Sequence, residues 1–223
     1  MTLSENLSLI RSNMAASCDL AHRPVTDVTL VAVSKLQDDA AIAAALATDL
    51  RVFGENRVQE AETHWTARRA AYPDLQLHLI GPLQTNKAKD AVALFDVIET
   101  IDRVDVADAI AKECSKQGKN PVCFIQVNTG DEPQKAGVSL GDLPVLITHC
   151  CALKLNIQGL MCIPPVSEPP AFHFALLKKL AAKHNLPNLS MGMSADYERG
   201  IELGATHIRI GTGLFGATRA KLI

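Results

Sequence analysis

The chain has 223 residues, of which 48% are hydrophobic and 21% are charged, a composition that supports a sizeable core and excludes intrinsic disorder. Its 22 basic and 24 acidic side chains leave a net charge of −2, so the protein has no general attraction for nucleic acid or for anionic lipid. The apolar stretches are far shorter than the ~20 residues of a membrane-spanning helix, and the N-terminus does not resemble a signal peptide. We therefore predict a cytoplasmic protein with no nucleic-acid or membrane partner.

The first predicted element is a helix over residues 3–20, with Thr2 or Ser4 as its N-cap. After it, short runs rich in Val, Ile and Leu alternate with longer segments of helical period. The predicted strands cover residues 28–34, 51–54, 75–80, 97–101, 122–128, 155–163, 189–192 and 207–210. The predicted helices between and beside them cover residues 38–48, 57–71, 85–94, 104–117, 140–151, 170–184 and 195–203.

This alternation indicates an α/β fold with a parallel sheet. The run Val-Thr-Leu-Val-Ala-Val that ends at Val33 is apolar on both faces, which is typical of a parallel strand covered by helices. Eight β/α units in this length favour a single TIM (β/α)8 barrel, a fold of usually ~250 residues, over the alternative of an open doubly wound sheet. The N-terminal helix would cover the barrel in place of a helix after the eighth strand. No flexible linker divides the chain, so we predict one domain over residues 1–223.

Motif searches exclude several kinds of site. The six cysteines show no C-x-x-C spacing, so we expect reduced thiols that pack as small hydrophobic side chains. No His or Cys cluster has the spacing of metal ligands, so we predict no metal site. His78 lies in an apolar run and is interpreted as a hydrogen-bonded core histidine rather than a base, and Trp65 as a packed helix residue.

Lys35 is the strongest candidate for a reactive residue, because the active face of a TIM barrel is formed at the carboxyl ends of its strands. It follows the first predicted strand, where partial desolvation of its amine would favour an imine with an aldehyde. The alternative is a lysine whose stem lies along the strand end while its ammonium group reaches solvent.

Two loops rich in small residues follow the last two predicted strands, around Ser194 and around Gly211 and Thr212. Small residues let backbone N–H groups approach an anion, and barrel enzymes often bind phosphate after strands seven and eight. We therefore predict a phosphate site there, with the alternative that Ser194 only caps the next helix.

Arg209 lies between two isoleucines in the last predicted strand and should be at least partly buried. A buried guanidinium needs specific acceptors, so Arg209 is expected to meet either a ligand or a structural carboxylate. The sequence alone does not decide between the two.

Six motifs, spread over nearly the whole chain, together resemble the pyridoxal phosphate homeostasis proteins. They are Val31-Ala-Val-Ser-Lys35, Phe53-Gly-Glu-Asn-Arg-Val-Gln-Glu60, His78-Leu-Ile-Gly-Pro-Leu-Gln-Thr-Asn-Lys87, Gly159-Leu-Met161, Ser190-Met-Gly-Met-Ser194 and Arg209-Ile-Gly-Thr-Gly-Leu-Phe-Gly216. The motifs are long and occur in the family's order, so the resemblance is specific to the family.

The resemblance implies a barrel of the alanine racemase N-terminal type that holds pyridoxal 5′-phosphate (PLP) as a Schiff base on Lys35. It implies phosphate contacts from Ser194, Gly211 and Thr212, and an Arg209 side chain directed at the pyridine nitrogen. It also implies that Asn56 and Met161 lie close to the ring. The family's implied role is to buffer and deliver PLP to other proteins, including PLP-dependent apo-enzymes.

The sequence favours binding over catalysis. Racemases that share such a barrel need a second base, usually a tyrosine from a second domain, and neither Tyr72 nor Tyr197 is well placed for that role. We therefore predict a monomeric, non-catalytic PLP-binding protein without catalytic residues. The alternatives are a weak PLP-dependent amino-acid racemase and a barrel enzyme in which Lys35 forms an imine with a sugar phosphate.

Overall fold

A computed structural model describes residues 2–216 and contains eight parallel strands that form a closed barrel, each strand paired with its neighbours in chain order. Strands β8 and β1 pair side by side and close the barrel. The strands are β1 Thr29–Val33, β2 Val52–Glu55, β3 Gln76–Leu79, β4 Val97–Ile101, β5 Val122–Gln126, β6 Asn156–Met161, β7 Asn188–Met193 and β8 His207–Ile210. The predicted (β/α)8 barrel is confirmed, and the open sheet is wrong.

Ten α-helices pack around this barrel in the described part of the chain. They are α1 Leu3–Leu20, α2 Asp39–Leu46, α3 Val58–Trp65, α4 Arg68–Ala71, α5 Ala88–Leu94, α6 Val104–Gln117, α7 Leu143–Ala152, α8 Pro170–Lys183, α9 Tyr197–Glu202 and α10 Thr212–Phe215. Short 3₁₀ turns cover Val25–Asp27 and Thr85–Lys87.

Side chains of each strand alternate between the helix layer and the barrel interior, and β2 shows both directions. Phe53 points outward and packs on Trp65 of α3, with ring centroids 4.6 Å apart. Gly54 faces inward, where a Cβ would lie 2.9 Å from Cγ1 of Val31. Because the outward residues are mainly large and aliphatic, the main core lies between strands and helices.

Helix α1 packs at the closure of the barrel, as predicted, but it does not take the place of a helix after the eighth strand, because the short helix α10 follows β8. Thr2 is its N-cap and forms a capping box with Glu5, so the alternative cap Ser4 is wrong. The helix packs on α9 and α10, and the Asn6 side-chain amide donates to the Leu214 carbonyl at 2.9 Å. The last strand is therefore covered jointly by α1 and the single turn of α10.

The predicted helix over residues 57–71 is two helices. The backbone at Thr66 and Ala67 keeps helical angles, but the Arg68 guanidinium donates to the His64 carbonyl at 2.5 Å, where the ladder of backbone bonds is interrupted. The helix predicted from residue 85 begins instead as the 3₁₀ turn Thr85–Lys87. Helical periodicity did not predict either difference.

All six cysteines are free thiols, and four of them are buried, as predicted. Burial raises the pKa of Cys150 to about 12 and that of Cys162 to about 12, so these thiols stay protonated. Cys151 is exposed, so the expectation that every cysteine packs in the interior is wrong there, because its position on α7 faces away from the barrel. Within residues 2–216, no helix combines the length and apolarity needed to cross a membrane.

Candidate functional site

The predicted site residues lie on five consecutive strands of the barrel. Met161 ends β6, and Ser194 follows β7 directly. Gly211 and Thr212 follow β8, and Arg209 lies within that strand. Lys35 lies in the turn after β1, and Asn56 comes directly after β2. Because these strands are neighbours and run parallel, their carboxyl ends bring the seven residues to one side of the barrel rim.

The loops after β7 and β8 contact each other. The backbone N–H of Gly213 donates to Oγ of Ser194 at 3.1 Å. Ser194 does not cap the next helix, so that alternative is wrong: the N-cap of α9 is Asp196, whose Oδ1 accepts the N–H of Met193 at 2.6 Å. Ser194 is therefore a member of a two-loop cradle.

This cradle lies beside the end of β1. Ala32 of β1 pairs with Ile210 of β8, and a Cβ on Gly211 would lie 3.5 Å from the Cβ of Val33. The cradle and the turn that carries Lys35 therefore lie at three neighbouring strand ends, those of β7, β8 and β1.

Lys35 itself is exposed in the turn after β1. The expectation of a partly desolvated amine at this position is therefore wrong. Strand β1 ends at Val33, so Lys35 lies in the turn beyond the strand. The accessible amine is free to meet an aldehyde that enters from the rim.

The residues on either side of Lys35 are both bound to carboxylates. Ser34 is fully buried, and its Oγ donates to Oε1 of Glu55 at 2.7 Å. The N–H of Leu36 donates to Oε1 of Glu60 at 2.5 Å. Leu36 has a φ of 60°, a left-handed conformation that a leucine rarely adopts.

Glu55 is fully buried between β2 and α3. Its Oε1 also accepts the Trp65 indole N–H at 2.9 Å and lies 2.9 Å from Nδ1 of His64. Ligand atoms of Glu55, Glu60 and His64 all lie within 4.8 Å of one another, a grouping of a kind that holds metal ions. The motif search missed it because one residue ends a strand and two lie on a helix; the absence of a metal stays a prediction.

Arg209 is buried in the barrel interior, with 3% of its surface exposed, as predicted. One guanidinium nitrogen donates to Oγ of Ser190 at 2.5 Å, and the other donates to the carbonyl of Cys162 at 2.9 Å. Its Nη1 lies 4.0 Å from Oε2 of Glu99, so the structural carboxylate that the sequence left open is present.

Glu99 organises the interior beneath the rim. It accepts from Oγ of Ser190 at 2.5 Å and lies 2.7 Å from Nδ1 of His78. Burial alone would raise the pKa of Glu99, but the hydrogen bond and charge of His78 and the charge of Arg209 lower it to about 2. His78 is confirmed as a hydrogen-bonded core histidine, whereas the sequence analysis did not single out Glu99.

Met161 and Asn56 flank the interior and the rim. Met161 is fully buried and packs with Val97 and Phe124 inside the barrel. Asn56 lines a rim cavity of about 820 Å³ together with Leu36 and other residues. A Cβ on Gly81 would lie 2.2 Å from the Asn56 carbonyl oxygen. The loop after β3 can therefore approach Asn56 this closely only because residue 81 is glycine.

Both tyrosines have contacts elsewhere in the fold. Tyr197 is 7% exposed, and its hydroxyl accepts a hydrogen bond from the Asn13 side chain of α1 at 3.0 Å. The ring of Tyr72 lies under the Arg51 guanidinium, whose central carbon is 5.3 Å from the ring centroid, beside the start of β2.

Lys135, a further lysine near the rim, is tied to its own loop. Its ammonium group lies 2.6 Å from Oε2 of Glu132 and donates to the Pro164 carbonyl at 3.4 Å. The structure thus adds an ion pair to the interpretation of Lys135 as a loop lysine.

Comparison with known proteins places this geometry in a family. The model of the alanine racemase N-terminal domain matches residues 6–219. The pyridoxal phosphate homeostasis protein of Pseudomonas aeruginosa is 40% identical, over 97% of this chain and 96% of its own. That of Aquifex aeolicus is 38% identical, over 97% of this chain and 98% of its own.

A solved structure gives the same answer for the fold. PipY of Synechococcus elongatus, in a structure with PLP bound, is 36% identical to this chain. The two superimpose with a TM-score of 0.83, over 96% of this chain and 100% of PipY. The chain therefore belongs to the family of pyridoxal phosphate homeostasis proteins, which is built on the alanine racemase N-terminal fold.

Proposed function

We propose that this protein binds PLP as a Schiff base on Lys35 and that it buffers and delivers the cofactor. The observation that carries the proposal is the junction of three neighbouring strand ends, where the Ser194–Gly213 cradle follows β7 and β8 beside the exposed Lys35 after β1. The family name of its relatives and the PLP bound to PipY support the same ligand.

The cradle fits a phosphate group. A Cβ on Gly213 would lie 3.3 Å from Oγ of Ser194, a tight contact that would push the two loops apart by a few tenths of an ångström. The Ser194 hydroxyl and the backbone N–H groups of the loop after β8, including Thr212, are the donors for phosphate oxygens. All of these donors are neutral. They would bind the phosphate oxygens without neutralising the phosphate charge, so we expect the phosphate to stay in contact with water.

Lys35 fits the aldehyde. PLP supplies an electrophilic aldehyde carbon, on which a primary amine forms a C=N bond while the aldehyde oxygen leaves as water. Lys35 carries that amine on a long stem, and the exposure of its side chain leaves room for the approach. The same exposure supports release, because other amines reach the carbon by the same route.

Arg209 is proposed to face the pyridine nitrogen. Its terminal nitrogens donate to Ser190 and to the Cys162 carbonyl, so PLP would have to share or displace one of these hydrogen bonds. A guanidinium only donates hydrogen bonds, so an Arg209 directed at this nitrogen would favour its unprotonated form. That weakens the electron-sink character on which much PLP chemistry depends. Asn56 and Met161 complete the proposed surroundings of the ring.

The protein is proposed to be non-catalytic. The Tyr197 hydroxyl accepts a hydrogen bond from Asn13, and the Tyr72 ring stacks under Arg51 beside the start of β2, so neither tyrosine is proposed as a second base. Delivery to PLP-dependent apo-enzymes by a monomer belongs to the same proposal. A cytoplasmic location stays a prediction.

Borohydride trapping tests the proposal. Purified protein incubated with PLP should turn yellow, and reduction followed by peptide mass analysis should place the pyridoxyl group on Lys35. Lys35→Ala should lose both signals, whereas Lys87→Ala, a change of another rim lysine, should keep both. A colourless protein that does not respond to PLP would contradict the proposal, and a sugar-phosphate adduct on Lys35 would replace the ligand.

A further inference from the structure

We infer that Glu60 and Glu55 are positioning residues that hold Lys35 in the geometry for imine formation, by binding the residues on either side of it. This inference rests on the proposed function, because it assigns a purpose to the backbone of the lysine that would carry PLP. Two contacts carry it: Leu36 N–H to Glu60, and Ser34 Oγ to Glu55.

The contact with Glu60 fixes the chain after Lys35. Leu36 is 69% exposed, so side-chain packing does not hold its left-handed backbone in place. Its amide is instead bound by a charged acceptor from α3 at 2.5 Å, and charge-assisted hydrogen bonds are stronger than neutral ones. Without this acceptor, the turn would keep the backbone bond from the Gln37 N–H to the Ser34 carbonyl at 3.1 Å, but the backbone conformations that leucine prefers would become more populated.

The contact with Glu55 fixes the chain before Lys35. Glu55 is itself immobilised, because the indole of Trp65 and the imidazole of His64 bind the same oxygen that accepts from Ser34. Trp65 is fully buried against Phe53, so the carboxylate is tied to the helix layer. Strand β2 and helix α3 therefore act together as a clamp on the turn of β1.

The hydrogen bonds to Ser34 and Leu36 use Oε1 of each glutamate. Oε2 of Glu55 is buried and has no hydrogen-bond partner within the described residues. A cation bound at the two Oε1 atoms would compete with both hydrogen bonds and release the turn.

The clamp matters because a lysine side chain has several rotatable bonds. Positioning its Cα restricts the region that Nζ samples, which raises the fraction of time that the amine spends at the aldehyde carbon. The phosphate cradle is on other strands, so loss of the clamp should weaken imine formation and leave phosphate binding unchanged.

Two ligands separate these effects. PLP binds through phosphate and imine, whereas pyridoxine 5′-phosphate carries an alcohol in place of the aldehyde and forms no imine. Glu60→Ala should weaken PLP binding and slow the rise of the yellow absorption by roughly tenfold, the effect of one charge-assisted hydrogen bond. Its affinity for pyridoxine 5′-phosphate should stay within about twofold of the parent protein.

Matched variants identify the hydrogen bond as the cause. Glu60→Gln keeps an acceptor oxygen and should restore most of the PLP signal, while Glu62→Ala, on the exposed face of α3, should match the parent. Ser34→Ala tests the other arm and leaves Glu55 with its two remaining donors; it should slow imine formation several-fold. Thermal unfolding of each variant reports whether it is folded.

The inference would be overturned by a Glu60→Ala protein that forms the imine at the parental rate. Equal weakening of both ligands, or a Glu60→Gln protein as poor as Glu60→Ala, would also overturn it. Failure of the proposed function has a different signature. In that case Lys35→Ala would keep its yellow colour and its borohydride adduct, whatever the Glu60 variants do.

Discussion

The interior ion pair makes a prediction about acid stability. Glu99 has its pKa lowered to about 2 from an ordinary value of 4.5, and each pKa unit corresponds to about 1.4 kcal/mol. The shift of about 2.5 units is thus equivalent to about 3 kcal/mol of stability at pH 7. Because the folded pKa is depressed, this stability is fully present above pH 4.5 and is lost as pH falls toward 2.

Glu99→Gln should remove this contribution and leave Arg209 buried without its nearby anion. We expect a loss of about 3 kcal/mol in the free energy of unfolding at pH 7. The linkage relation reduces the difference between the two proteins to about 1 kcal/mol at pH 3. Urea unfolding at a series of pH values, followed by far-UV circular dichroism, measures that difference.

The exposed Glu62 provides the control, since Glu62→Gln should change stability by less than about 0.5 kcal/mol at every pH. A Glu99→Gln penalty that stays constant between pH 7 and pH 3 would refute the reasoning. It would mean that the hydrogen-bonding shape of Glu99, and not its charge, stabilises the interior.

Three further predictions concern the burial of His207, the close approach at Gly81 and the proposed lack of catalysis. Burial lowers the pKa of His207 to about 4 from 6.5, so the parent protein should lose about 3 kcal/mol between pH 6.5 and 4 that His207→Gln does not lose, as urea titrations would show. Gly81→Ala places a Cβ 2.2 Å from the Asn56 carbonyl and should lower the free energy of unfolding by more than about 2 kcal/mol; Gly118→Ala, at φ 64° in open space, should cost only about 1 kcal/mol. Solvent deuterium should not enter Cα of amino acids faster with the PLP-loaded protein than with Lys35→Ala, and faster exchange would establish a racemase.

Several of the site predictions came from short-range patterns, and the structure placed them on one side of the rim. Lys35, Ser194 and Gly211 each follow an apolar run, so the end of a strand could be recognised from a few residues of sequence. Desolvation of Lys35 could not be judged in this way, because it depends on where β1 ends relative to the rim. For the same reason, the sequence could not show that Ser194 contacts the loop after β8 instead of capping α9.

Several contacts that sequence reasoning missed join residues that are far apart along the chain. Ser190 and Glu99 are 91 positions apart, yet they share a hydrogen bond inside the barrel. Glu60 contacts Leu36 across 24 positions. A pattern search reads neighbours along the chain, so a buried glutamate in an apolar strand gives no sign of the partner that stabilises its charge.

The sequence by itself determined the alternation of strands and helices, since each element is encoded by a local period of two or 3.6 residues. It also located the end of each strand to within about two residues, and its motifs identified the family. Only the tertiary structure decided that Glu55 and Glu60 bind the neighbours of Lys35 and that Glu99 faces Arg209. Barrel closure brings these groups together, and a charge in a buried site is stabilised by its spatial neighbours rather than by its sequence neighbours.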